Sequence, residues 1–185
     1  MTSPLTIYTI GHSTRPIDEF LALLKQHGVT QLVDIRTIPR SRHNPQYEQS
    51  ALEKSLPAAG IDYIYMKGLG GLRPKAKDSV NLGWRNESFR NYADYMQTPD
   101  FTHAVESLIT LAQQKPTAIM CAEAVPWRCH RSLVGDALVV RGIEVLDIID
   151  EHGTKPRAIT SFAVVDGTAI TYPKASTESS PTSAD

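Results

Sequence analysis

An alternation of short apolar runs with amphipathic ones, repeated from residue 5 to residue 150, constrains this chain more than any other feature. Leu5–Ile10 (LTIYTI), Gln31–Ile35 (QLVDI), Ile61–Met66 (IDYIYM), Thr117–Cys121 (TAIMC) and Glu144–Ile149 (EVLDII) are rich in residues that suit a buried strand. Between them the period changes. Ile17, Phe20, Leu21 and Leu24 recur at helical spacing after Pro16, with Asp18 and Glu19 in the first turn and Gly28 as the stop. Tyr47–Leu56, Asn86–Met96, Asp100–Gln114 and Cys129–Arg141 read as further helices. Such alternation predicts an α/β fold: a single three-layer domain, with a mainly parallel sheet of about five strands and helices on both faces. Ile159–Val165 and Thr168–Tyr172, flanking Asp166-Gly167, add a C-terminal β-hairpin.

With 185 residues, 41% hydrophobic and 21% charged, the chain has material for one core, expected over residues 1–173. Lys174–Asp185 (KASTESSPTSAD) lacks any large apolar side chain and is expected to be a disordered tail. No apolar run approaches the roughly 20 residues of a membrane helix, so no membrane partner is expected. The first residues lack the basic and apolar pattern of a secretory signal, and two cysteines cannot staple a secreted scaffold. The expected location is cytoplasmic. A formal charge of -1 does not favour nonspecific binding to duplex nucleic acid, so a nucleic-acid partner needs local charge.

In a parallel sheet of this type the loops after the strands share one edge, where ligands bind. The first is Gly11-His12-Ser13-Thr14-Arg15. Ser13 and Thr14 suit either a helix cap or an anion site, whereas a cap has no need of His12. The second runs from Asp34 through Arg36, Arg40, Ser41 and Arg42. Guanidinium forks suit phosphate or carboxylate, with Asp34 able to pair one of them; the alternative is a solvated basic loop. The third, opening Lys67-Gly68-Leu69-Gly70-Gly71-Leu72-Arg73, lets backbone approach a ligand at Gly70 and Gly71. It is neither a P-loop nor a dinucleotide fingerprint.

The fourth loop is the most distinctive. Cys121 ends a strand, Glu123 follows, and Cys129-His130-Arg131 opens a helix. A thiol at a helix start beside cations should ionise readily, which makes Cys129 the candidate nucleophile and Cys121 a small core residue. Glu123 is a candidate acid or base. The spacing does not fit a tyrosine phosphatase, a C-x-x-C redox pair or a haem attachment site. A metal site from Cys121, Cys129, His130 and His12 is chemically open, although no standard ligand spacing supports it.

Several motifs together resemble the DUF488 family of bacterial and archaeal proteins. They are Thr9-Ile10-Gly11-His12-Ser13, Asp34 with Arg36, Pro39-x-Ser41-Arg42, Gly60-Ile61-x-Tyr63, Leu69-Gly70-Gly71, Tyr92-Ala93-x-Tyr95-Met96, Met120-Cys121-Ala122-Glu123 and Cys129-His130-Arg131. The resemblance implies a compact α/β domain and no particular reaction or cofactor.

The residues point to an enzyme acting on an anionic small molecule, a nucleotide or nucleic-acid-related compound, at the carboxyl edge of the sheet. Cys129, Glu123, His12 and His130 are the expected catalytic groups. Ser13, Asp34, Arg36, Ser41, Arg42, Gly70, Gly71 and Arg131 are the expected binding groups. A noncatalytic anion-binding module would use the same arginines without the thiols. A metal- or thiol-dependent redox protein would use Cys121, Cys129 and His130.

Overall fold

The computed structural model describes residues 3–175. Apart from Lys174 and Ala175, the expected tail lies outside the described residues. Elements follow in the order β1 (Thr6–Gly11), α1 (Ile17–Gln26), β2 (Gln31–Asp34), α2 (Gln49–Ala58), β3 (Asp62–Tyr65), α3 (Glu87–Tyr95), α4 (Pro99–Gln114), β4 (Thr117–Cys121), α5 (Arg131–Val139), β5 (Glu144–Asp150), β6 (Gly153–Pro156), β7 (Val164–Asp166) and β8 (Ala169–Thr171).

Six strands form one sheet in the order β3-β2-β4-β1-β5-β6. The first five strands run parallel, and β6 closes the edge antiparallel to β5. The expected sheet therefore gains a strand. Gly153–Pro156 is short, polar and ends in proline, which is tolerated only at an edge. β7 and β8 form the separate C-terminal hairpin.

Period-2 alternation sends side chains to two cores. Ile10, Leu32, Ala118 and Met120 face Phe20, Leu24, Leu52 and Leu56 of α1 and α2. Ile7, Val33, Ile119 and Cys121 face the opposite layer, with Tyr92, Phe101, Val105, Leu108 and Leu133 of α3, α4 and α5. The arrangement is an α/β three-layer sandwich. Among the described residues no helix is long and apolar enough to cross a membrane.

The connections place the site. From β1 and β2 the chain passes to α1 and α2 on one face. From β4, which lies between those strands, it passes to α5 on the other. Diverging connections open a crevice at the carboxyl end of β4. On its β1 side the crevice is shut by backbone: His12 N–H donates to Cys121 O and Ser13 N–H to Ala122 O, each at 2.9 Å. A Cβ on Gly11 would lie 1.5 Å from Glu123 O, so only glycine permits this approach. The opening is left on the β2 side.

Candidate functional site

An open cleft of 340 Å³ sits over the end of β4, lined by Arg36 and Thr37 after β2, Gly71 and Leu72, Ser88 and Phe89 of α3, and residues 121–123 and 128–130. Its residues come from both sides of the sheet because α3 brings its N-terminal turn to the strand ends.

Arg36 is fixed before any ligand arrives. Asp34, at 0% exposure, accepts from Arg36 Nε at 2.9 Å and Nη2 at 2.7 Å, and also from the Arg36 backbone N–H and the Tyr63 hydroxyl. This fork occupies one side of the guanidinium and turns Nη1 toward His12 Nε2, 3.4 Å away. His12 is buried and stacked on Tyr47, with ring centroids 4.2 Å apart. Its Nδ1–H donates to Ser13 O at 2.8 Å, which leaves the Nε2 lone pair facing Arg36. Burial, reinforced by the Arg36 charge, pushes the His12 pKa down to about 4.

The fourth loop is held by Arg131, which is 0% exposed. Its Nη1 donates to Thr9 Oγ1 at 3.0 Å and its Nη2 to the carbonyls of Glu123 and Ala124. Thr9 in turn donates to the buried carboxylate of Asp147 on β5. Arg131 therefore pins the loop to the sheet; its terminal nitrogens are spent on protein, and it does not line the cleft.

Both thiols line the cleft: Cys121 Sγ–H donates to Glu123 O at 3.7 Å, and Cys129 Sγ accepts from the Arg131 backbone N–H at 3.5 Å. Burial opposes ionisation of Cys121, but the neighbouring Cys129, the Arg131 charge and the Glu123 backbone outweigh it, so its pKa falls below the ordinary thiol value. Burial pushes Cys129 well above that value, and the adjoining Cys121 thiolate adds to the rise. Cys129 precedes α5 by two residues and is buried, so the helix start does not outweigh desolvation there; Cys121 is more deeply buried still, at 1% exposure, and what favours its thiolate is its neighbours, Cys129 and the Arg131 charge among them. His130 Nε2–H donates to Ile35 O at 2.8 Å, leaving Nδ1 as acceptor 3.3 Å from Cys129 Sγ. Burial, with Arg131 and Arg73 nearby, pushes the His130 pKa down to about 4. Glu123 is exposed on the cleft rim.

Other expected residues divide clearly. Gly71 lines the cleft and packs against His130, and Gly70 packs against Thr37. Ser41 and Arg42 do not line the cleft. Ser41 stabilises its own loop, with its N–H on Glu48 Oε1 and its Oγ accepting from Asn44 N–H, while Arg42 is exposed. Ser13 adopts a positive φ of 49° and serves His12 through its carbonyl. No side chain caps α1, whose N-cap is Pro16. The four-ligand metal set is not assembled. Among the described residues no three His, Cys, Asp or Glu side chains are grouped for a metal ion, and the free lone pair of His12 faces a guanidinium.

Thr37, Leu72, Ser88, Phe89 and Arg128 enter the cleft without having been expected there. Arg128 lies inside the distinctive fourth loop and could have been found from it. Ser88 and Phe89 had no sequence signal, because only the packing of α3 delivers them.

The family model for the domain of unknown function DUF488 matches residues 16–138. The chain belongs to the DUF488 family. The DUF488 match runs from the residue before α1 into α5, so it includes the Arg36 and Cys121–Arg131 segments and leaves the His12 loop outside. No curated protein and no solved structure matches the chain.

Proposed function

We propose that this DUF488 protein is an enzyme that performs thiol chemistry on a small anionic compound of nucleotide type seated over β4. The observation that carries the reading is that Cys121 and Cys129 both line a cleft whose walls also present Arg36 and Arg128. The cleft volume of 340 Å³ falls within the range of small-molecule sites. Cys121, the more acidic thiol, is the nucleophile. As the Cys121 sulfur bonds to the substrate and the bond to the leaving group breaks, Cys129 can give its single proton to that leaving group and is left as a thiolate, held in place beside His130 Nδ1 at 3.3 Å. Arg36 and Arg128 hold the anionic group, and Glu123 supplies an acid or base at the rim.

Competitive alkylation tests this. Iodoacetate, an anion, should label native Cys121 faster relative to iodoacetamide than it labels free cysteine. Arg128→Ala should remove that preference, and Cys121→Ser should remove the label. An unlabelled native protein, or equal preference with and without Arg128, would sink the reading.

Two free thiols on one cleft also support a redox reading. Both S–H bonds would break as the S–S bond forms, with two electrons and two protons passing to an oxidant such as a peroxide. A peroxide-treated protein that loses two hydrogens in mass, and regains them with a dithiol reductant, would favour it over nucleophilic chemistry.

A further inference from the structure

The cleft continues along the sheet edge. Thr37 is shared with an adjoining groove of 520 Å³ whose walls include Ile38, Arg40, Gln49 and Glu48, the last accepting from the Ser41 backbone N–H at 2.9 Å. The loops that follow β1 to β4 also concentrate charge. Residues 11–15, 36–45, 66–85 and 122–128 contain ten of the 19 Lys and Arg but two of the 20 Asp and Glu. A chain of formal charge -1 therefore carries +8 on these loops and -9 elsewhere. Arg15, Arg36 and Lys75 are already answered by Glu19, Asp34 and Glu87, which lie just outside these loops. Arg40, Arg42 and Arg128 are exposed, and none has an ion-pair partner among the described residues.

A basic face of this kind needs no exposed apolar groups to be soluble, yet this one has them. Seven large hydrophobic side chains are exposed in the described residues, and five of them, Ile38, Leu72, Val80, Leu82 and Trp127, belong to these same loops. Trp127 is 62% exposed and adjoins Arg128; Leu72, at 72%, lines the cleft. Phosphates seek the guanidinium groups, while unpaired bases seek flat or apolar surface, and the combination suits a single strand whose bases are free to stack. A duplex keeps those faces within its own stack.

We infer that the groove and cleft bind single-stranded nucleic acid, with the backbone along Arg40 and Arg128, bases against Trp127 and Leu72, and the terminal nucleotide over β4. This deepens the reading above by naming its substrate class, and it rests on the anion half of that reading alone; the thiols take no part in binding.

Fluorescence anisotropy with a short labelled oligothymidylate tests it on the full-length protein. The single strand should bind at least roughly tenfold more tightly than a duplex of equal length. Trp127→Ala should weaken binding by roughly five- to a hundredfold. Arg128→Ala should flatten the slope of log affinity against log salt by about 0.7. Both side chains are exposed, so these variants keep the fold. Absence of saturable binding at low salt, equal affinity for duplex, or indifference to Trp127→Ala overturns the inference. Displacement by poly-glutamate as effective per charge as by unlabelled oligonucleotide would do the same, by identifying an acidic polypeptide as the occupant. Selective iodoacetate labelling in a protein that binds no oligonucleotide would defeat this inference while leaving the thiol reading standing.

Discussion

Asp34→Asn removes one charge and almost no volume, which makes it a sharp probe of how the cleft is built. The Asp34 and Arg36 side chains are 0% and 5% exposed, so neither charge can turn to water when the other is lost. Asparagine keeps one acceptor oxygen but places an NH2 where Asp34 Oδ2 accepts from Arg36 Nη2 and the Tyr63 hydroxyl, at 2.7 and 2.6 Å. Two hydrogen bonds fail and a guanidinium is left buried without its counter-charge. Breaking a buried pair in this way costs about 3–5 kcal/mol. In a protein of this size each kcal/mol lowers the melting temperature by about 2–4 °C, so a fall of about 6–20 °C is expected. Urea unfolding followed by circular dichroism measures the free energy directly. Replacing both partners, Asp34→Leu with Arg36→Met, should recover more than half of the loss, because the cost lies in the orphaned charge. A loss below about 1 kcal/mol for Asp34→Asn, or a double variant no better than the single, would refute the argument.

Stability should fall as pH falls from about 6.5 to 4. His12 and His130 both have pKa values pushed down to about 4 by burial, whereas the unfolded chain takes up these protons near 6.5. Their contribution is therefore complete above about 6.5 and lost by about 4, at roughly 3 kcal/mol each, and His12→Gln should flatten the urea midpoint against pH. Gly71→Ala would place a Cβ 2.5 Å from His130 Nδ1; displacing the imidazole should cost about 1–3 kcal/mol and speed alkylation at Cys129. Unchanged labelling in a folded variant would contradict that packing. Arg131→Gln should shift the alkylation profile of Cys121 to higher pH, since it removes the buried cation that favours the thiolate. An unmoved profile would show that the Arg131 charge does not lower the thiol.

The five parallel strands and five helices were readable from the sequence because their signals are local. β-branched runs, a change of period from 2 to 3.6, and terminators such as Gly28 and Gly142 act within a few residues of themselves. The four loops at the strand ends followed from the same pattern, since parallel strands place their exits together. Tertiary structure decided what each polar residue does there. Arg36, Arg42 and Arg131 look alike as letters; the fold holds the first beside the cleft, leaves the second in solvent and encloses the third between β1 and the Cys121–Arg131 segment. Cys121 and Cys129 stand too far apart for a short redox motif, yet a strand end and a turn bring both to the lining of one cleft. The strand Gly153–Pro156 exists through its pairing with β5, and Asp147 acquires its place only because Thr9 links it to Arg131. Burial and charge pairing are properties of neighbours distant in the chain, so no local pattern encodes them, whereas backbone preference and apolar periodicity are written in each segment.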